Sequence, residues 1–270
     1  METGTLSVLS TINQSGFLIA AICICISCFY FTMMRFYSGK LQNRIFLLLL
    51  LNILVSAVCC TANVFLQPIR QMYGWARVLM GVNTYIYFLL HAVLAPLFCY
   101  YMALVTGTMF RLDKKKRVWY EFPVYVSELL VLTNPLTKWV YRFDETYSFV
   151  RSRGEFILYL ISLMYFVAAV ALALIFWHAI DGGRKKTIAY FFIVIFVGVL
   201  AQLLFQGLQT EIFGEALAIT GFMITLENEE SRRISGNGIY NLHAFMTDIS
   251  ARMVARHPFS IICIDRKSVV

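Results

Sequence analysis

Long runs of apolar residues, separated by short polar segments, dominate the chain. Seven runs approach or exceed the roughly 20 residues that a helix needs to cross the hydrocarbon core of a bilayer. They cover roughly residues 14–34, 45–67, 78–110, 118–136, 156–178, 187–207 and 211–226. The pattern predicts an all-α polytopic membrane protein with seven transmembrane helices. The third run contains Pro96, which predicts a kink or a tilt, and the seventh is short and contains Glu215.

The pattern changes to that of a soluble α/β protein after the seventh run. Asn237-Gly238 is a strong turn signal, and "FSIICID", which ends at Asp265, is typical of a buried strand. Between them, apolar residues recur at helical spacing. These residues are Leu242, Phe245, Met246, Ile249 and Met253.

Three segments follow from this change of pattern. Residues 1–226 are predicted to form a seven-helix transmembrane domain. Residues 227–236 ("ENEESRRISG") are charged and continuous with the last run, which favours a linker helix running out of the membrane, with or without a signalling role. Residues 237–270 are predicted to be the first part of an α/β domain, truncated after one helix and one strand.

Basic residues between the runs predict the orientation. With the N-terminus outside, the inner loops carry Arg35, Lys40, Arg44, Arg111, Lys114, Lys115, Lys116, Arg117, Arg184, Lys185 and Lys186. The outer loops then carry only Arg70, Arg77, Lys138, Arg142, Arg151 and Arg153. Because cytoplasmic loops are enriched in Lys and Arg, this bias predicts an outside N-terminus and a cytoplasmic C-terminus.

Composition narrows the function classes. The chain is 60% hydrophobic and 14% charged, against about 25% charged in an ordinary soluble domain. Its net charge of +8 comes from residues at the ends of apolar runs and not from a basic face, so no nucleic-acid partner is expected. Of the seven cysteines, six lie in apolar runs, where free cysteine packs as a small hydrophobe and does not ligate a metal.

Ionisable residues inside the runs are candidate sensing residues, because a charge within a membrane is costly. His91 and Glu128 lie in the middle of consecutive runs, which usually pack side by side, so they could meet as a coupled pair. The alternative is that Glu128 stays protonated and bonds a neighbouring helix, while His91 is a satisfied core histidine.

Polar residues in the last two runs form a second candidate group. Gln202 and Gln206 share one face of their helix, and Glu211 and Glu215 share a face near the outer end of the last helix. The glutamates could line an outward-facing pocket, although a solvated helix start also explains Glu211. The glutamines, like Asn52 and Asn63, are also explained as interhelical hydrogen-bonding residues.

Two stretches carry a resemblance to a known family. "VLTNPLTKWVYRF" and "RGEFILYLISLMYFV" resemble the fourth span, outer loop and fifth span of the seven-helix sensor region at the N-terminus of bacterial histidine kinases and diguanylate cyclases. The similarity covers about residues 10–226. It implies a sensor in the bacterial inner membrane that responds to an unknown small molecule.

The C-terminal stretch "ISGNGIYNLHAFMTDISARM" resembles the start of a GGDEF domain, whose pattern runs D-x-L-T-G-L-x-N-R-x-A-F. The matching residues are Gly238, Tyr240, Asn241, Ala244 and Phe245, and the departures are Ile234, Gly236, Asn237 and Leu242. A complete GGDEF domain condenses two GTP into cyclic di-GMP as a homodimer, with Mg²⁺ on the triphosphate.

The resemblance implies the functional expectations. Asp265 would be a Mg²⁺ ligand of an incomplete site, or else a turn residue at the end of a strand. Because the chain lacks the GGDEF motif, it is expected to be inactive and to hold no cofactor, although the family is enzymatic. The predicted function is the input module of a diguanylate-cyclase-type protein that dimerises through its linker and output domain. The alternatives are the input module of a histidine kinase and a transporter of small solutes.

Overall fold

Seven long helices and one β-hairpin make up the part of the chain that the structure describes. The structure is a computed structural model of residues 2–35, 41–106, 114–180, 182–205 and 209–230, with isolated positions 242, 245, 246, 249, 253 and 260. The helices are α1 (Glu2–Arg35), α2 (Leu41–Leu66), α3 (Gly74–Val105), α4 (Lys114–Thr137), α5 (Arg153–Ile175), α6 (Gly182–Leu204) and α7 (Thr210–Glu230). The hairpin between α4 and α5 pairs β1 (Tyr141–Phe143) with β2 (Phe149–Arg151).

Each of the seven predicted apolar runs coincides with one of these helices. Five helical segments are long and apolar enough to cross a membrane: Ser15–Met34, Leu41–Ile69, Gly74–Val105, Arg153–Ile175 and Gly183–Gln202. Helices α4 and α7 are less apolar, because each carries two glutamates within its predicted run. The described chain is therefore a largely helical protein with the features of a multi-pass membrane protein.

Helices α3 and α7 organise the packing. Helix α3 packs against α2, α4 and α5, whereas α7 packs against α1, α2 and α6. Aromatic rings join the two groups: Phe98 of α3 stacks on Phe191 of α6 with ring centroids 4.0 Å apart, and Tyr101 of α3 meets the edge of Phe222 of α7 at 5.1 Å. The main core is built from buried residues of α1, α2, α3, α5, α6 and α7, and these ring contacts join α3 to α6 and α7 within it.

Polar side chains bond between helices inside this apolar bundle. The Asn52 amide of α2 donates to the carbonyl of Leu90 on α3 at 2.9 Å. The Asn63 amide donates to the Thr84 hydroxyl, also on α3, at 3.1 Å. Both asparagines therefore act as the interhelical hydrogen-bonding residues that the sequence predicted, and they fix the register of α2 against α3.

The hairpin was not predicted, because its strands are only three residues long. The buried Asn134, near the end of α4, fastens it. The Asn134 Oδ1 atom accepts hydrogen bonds from the amides of Val140 at 2.8 Å and Tyr141 at 3.2 Å. Its Nδ2 atom donates to the Tyr141 carbonyl at 3.2 Å. One side chain thus satisfies three backbone groups where the chain leaves the helix.

The α2–α3 connection is tied to the same hairpin. The Arg70 guanidinium donates to the Ser148 hydroxyl at 2.6 Å and to the Thr146 carbonyl at 3.2 Å. Within the hairpin turn, Asp144 accepts hydrogen bonds from the Ser148 amide and the Thr146 hydroxyl, each at 2.7 Å. These bonds favour the ionised form and lower the pKa of Asp144 below its usual value. We call this end of the bundle the hairpin end.

Most of the predicted α/β fragment lies outside the described residues. Its five predicted apolar-stripe positions, which run from Leu242 to Met253, are described and are helical. Leu242 and Met253 are exposed. Asp265, the predicted Mg²⁺ ligand, lies outside the described residues.

We expect Asn134→Ala to lower the free energy of unfolding by about 2–3 kcal/mol, because it leaves buried amide groups without partners. The free energy of unfolding of Asn134→Asp should lie between those of Asn134→Ala and the native chain, since its carboxylate still accepts from the amides of Val140 and Tyr141. Chemical unfolding in detergent measures both. Thr137→Ala, an exposed neighbour on the same turn of helix, is the control, and a loss equal to that of Asn134→Ala would contradict the prediction.

Candidate ligand site

Close packing of α6 and α7 creates the setting of the site. The two helices pass each other at Gly198 and Gly214, where a Cβ built on Gly198 would lie 3.1 Å from the Thr210 carbonyl oxygen and 3.3 Å from the Gly214 Cα. The Thr210 hydroxyl donates to the Gly198 carbonyl at 2.8 Å. Because glycine has no side chain, the two backbones approach closely enough for Gln202 of α6 to reach the start of α7.

Gln202 holds Glu211 through two hydrogen bonds. Its Nε2 atom donates to Glu211 Oε2 at 2.9 Å, and its Oε1 atom accepts the Glu211 backbone amide at 3.0 Å. That amide lies in the first turn of α7, where the helix itself supplies no acceptor. The pair thus completes the helix start and fixes the Glu211 carboxylate, which the positive end of the helix dipole also stabilises.

His91 of α3 and Glu215 of α7 complete the cluster. The His91 ring stacks on Tyr87 with centroids 5.3 Å apart, and its Nε2 atom lies 3.9 Å from Glu211 Oε1. Glu215 lies one helical turn after Glu211, so their side chains project from the same face of α7. One ligand atom from each of the three residues lies within 4.8 Å of the other two. This is a set that could bind a cation.

The cluster forms one corner of a cavity of about 380 Å³. The cavity lies between α2, α3, α5, α6 and α7, and apart from the cluster it is lined almost entirely by apolar side chains. Aromatic members of the lining include Phe46, Phe98, Phe166, Phe191 and Phe222. Ligand pockets commonly have volumes of about 300–1,000 Å³ and combine apolar walls with a few converging polar groups. The cavity therefore has the size and polarity of a site for a small amphipathic ligand.

A second set of polar residues connects the cavity to the hairpin. The Tyr159 side chain of α5 lines the cavity, and its hydroxyl donates to Glu155 Oε1 at 3.1 Å. Glu155 is buried in the first turn of α5 and forms an ion pair of 3.5 Å with Arg151 of β2. The hairpin is thus linked to the cavity wall by three successive side chains.

The structure brings together three of the predicted sensing residues, His91, Gln202 and Glu215. Glu128, which one of the two hypotheses paired with His91, is not part of this cluster, and its Oε1 atom is buried without a hydrogen-bond partner among the described residues. The reason is the face on which His91 lies. Phe88 and Ala92 of α3 pack in the cluster that includes Val131 of α4, whereas His91 faces the cavity. Gln206 lies outside the described residues.

Sequence reasoning left two parts of the site undetermined. The sequence allows Glu211 to be either a pocket residue or part of a solvated helix start. In the structure it lies in the first turn of α7 and also lines the cavity. Tyr159 was missed, although its spacing of four residues from Glu155 was a signal that the two share a helical face. Neither signal indicated that α3 would meet α7, because those helices are far apart in the sequence.

Comparison of the chain with protein-family models, with curated proteins and with solved structures finds no match. The interpretation of the site therefore rests on its own geometry.

We expect Gly198→Val to separate α6 from α7 and to lower the free energy of unfolding by about 1–3 kcal/mol, because the side chain would overlap the backbone of α7. Gly81→Val is the control, since a Cβ at Gly81 meets only the Tyr147 hydroxyl, at 4.0 Å. Unfolding curves of the two variants in detergent make the comparison. Equal losses would show that the effect comes from valine in a helix and not from the α6–α7 contact.

Proposed function

We propose that this chain contains the membrane-embedded input module of a bacterial signalling protein of the diguanylate-cyclase class. In this proposal a small molecule binds in the cavity and alters the output of a GGDEF domain whose first residues are 237–270. The single observation that carries the proposal is the position of Glu211 and Glu215. They lie in the cavity and on α7, the helix that leads toward the C-terminal segment.

The physical basis is that α7 belongs to both the site and the output connection. A ligand changes a conformational equilibrium only through contacts that differ between the two states. Contacts to Glu211 and Glu215 act directly on α7, and a helix transmits a shift or rotation along its length. The charged linker at 227–236 would pass that movement to a homodimeric output domain, where Mg²⁺ and GTP bind once the domain is complete.

The remaining parts of the proposal concern the membrane. All seven helices span the bacterial inner membrane, with the lipid bilayer as their solvent and the C-terminus in the cytoplasm. The hairpin end then faces the outside, which places the cavity in the outer half of the bundle. The excess of basic residues in the predicted inner loops supports this orientation.

Reporter fusions test the orientation. A periplasm-dependent reporter fused at Thr146 should be active, and the same reporter fused at Lys115 should be inactive. A cytoplasm-dependent reporter at the same two positions should give the opposite result. Periplasmic activity at Lys115 would contradict the proposed topology.

A fusion of residues 1–236 to a complete GGDEF domain tests the function. We expect Glu215→Gln to change cellular cyclic di-GMP about fivefold or more, in a bacterial host lacking other cyclases, because coupling between sites is typically worth 1–3 kcal/mol. Glu121→Gln on α4 is the matched control, since Glu121 bonds Tyr125 at 3.4 Å and is not a lining residue of the cavity. If both variants matched the parent at equal expression, the cavity would have no role in signalling.

A further inference from the structure

We infer that the cavity binds a lipophilic primary ammonium ion, with its nitrogen among His91, Glu211 and Glu215 and its apolar body against the aromatic wall. The inference adds a ligand class to the proposed function. Only the role of the ammonium ion as the stimulus of the sensor rests on that proposed function. Four observations carry it: the charge of the corner, the spacing of its acceptors, the character of the walls and the position of the opening.

The charge of the corner calls for a cation. Two carboxylates and one imidazole meet there, and no Lys or Arg lines the cavity among the described residues. Glu215 lines the cavity one helical turn after Glu211, so two carboxylates lie close together on the same face of α7. Two ionised carboxylates at this separation repel each other, and a cation bound between them offsets that repulsion.

The spacing of the acceptors is within the range that one ammonium group can bridge. A primary ammonium has three N–H donors, and each makes a hydrogen bond of about 2.8–2.9 Å. Because the N–H groups of an ammonium diverge at tetrahedral angles, three acceptors at that distance lie about 4.7 Å apart. Here the three atoms lie within 4.8 Å of one another. Tetrahedral Zn²⁺, with bonds of about 2.0–2.1 Å, holds its ligand atoms only about 3.4 Å apart. The 3.9 Å between His91 Nε2 and Glu211 Oε1 lies between these two spacings, so the apolar walls of the cavity, which suit the body of an organic cation, favour the ammonium ion.

Gln202 prepares the corner for this ligand. It occupies Glu211 Oε2 and leaves Oε1 directed toward His91, so one oxygen is free to accept from the ammonium group. The glutamine amide supplies no charge of its own, which keeps the corner anionic. A site whose acceptors are already held in place binds its ligand with a smaller loss of conformational entropy.

The walls and the opening account for the lipophilic part. Phenyl rings of Phe98, Phe191 and Phe222 line the interior, where they can pack an alkyl or aryl chain. At the rim, Leu163 of α5 and Phe196 of α6 are 56% and 63% exposed. Both belong to helices apolar enough to face lipid. Because these exposed lining residues belong to α5 and α6, we infer that the cavity opens between those two helices, toward the bilayer. An amphipathic cation can therefore enter from the membrane.

Binding of octylammonium to the 270-residue chain in lipid nanodiscs tests the inference. We expect octylammonium chloride to raise the thermal unfolding temperature in a saturable manner, followed by tryptophan fluorescence. Two probes share its chain: 1-octanol has no charge, and octyltrimethylammonium has the charge but no N–H donors. Each should bind at least about tenfold more weakly than octylammonium, because neither can form the charge-assisted N–H hydrogen bonds.

The protein variants supply the second comparison. Glu215→Gln and Glu211→Gln should each weaken octylammonium binding by roughly tenfold, while Glu121→Gln should leave it unchanged. Circular dichroism and size-exclusion chromatography check that each variant is folded. If either cavity variant fails to fold, the remaining one and the two matched probes still decide the question.

Each contrary outcome has a definite meaning. Equal stabilisation by octanol would show that apolar contacts alone give the binding. Equal stabilisation by octyltrimethylammonium would show that N–H donors are not recognised. Either result would overturn the inference. Stabilisation by micromolar Zn²⁺ that is lost in Glu215→Gln, without an octylammonium effect, would replace it with a metal site. An absence of any saturable octylammonium effect would also overturn it. The binding assay reads occupancy without output, so octylammonium binding combined with an unresponsive cyclase fusion would reject only the proposed signalling role.

Discussion

The need to pair polar groups inside an apolar bundle governs this structure. A polar group buried without a partner costs free energy, and within an apolar interior the partner has to come from another helix. Asn52 and Asn63 meet part of this need between α2 and α3 through their amide donors, while their Oδ1 atoms have no partner among the described residues. Gln202 meets it between α6 and α7 for Glu211. In the cavity, Glu211 and Glu215 bring two carboxylates to one face of α7, which gives the cavity a chemical preference.

The helices could be predicted from the sequence because each corresponds to one continuous apolar run. The site could be predicted only in part, for a physical reason. Glu215, Gln202 and His91 were recognisable individually, because an ionisable or amide group in such a run is costly. Their meeting depends on α3 approaching α7, and hydropathy contains no information about which faces of two distant helices touch. The pairing of His91 with Glu128 was suggested by chain order, yet α3 presents Phe88 and Ala92, not His91, to the α4 side.

The hairpin shows a different limit of the sequence pattern. Strands of three residues give too short an alternation to be recognised, and the residue that fixes the hairpin lies in the preceding helix. Asn134 belongs to the "TNP" stretch on which the resemblance to sensor regions was based. In the structure that asparagine holds the start of β1 in place, since its side chain bonds the Val140 amide and both the amide and the carbonyl of Tyr141. A stretch noticed for its likeness to a family thus has a local physical explanation.

The contact between Gly198 and Gly214 makes α7 a lever. Where two backbones touch, neither helix can move closer, so the contact is a fulcrum about which α7 can tilt. Glu215 is adjacent to that fulcrum, at the start of the long arm. The long arm runs from Gly214 to Glu230, about 24 Å at the rise of an α-helix. A tilt of about 5° then displaces the far end by about 2 Å while Glu215 hardly moves. The bundle can therefore amplify a displacement at the cavity that is too small to disturb the packing around it.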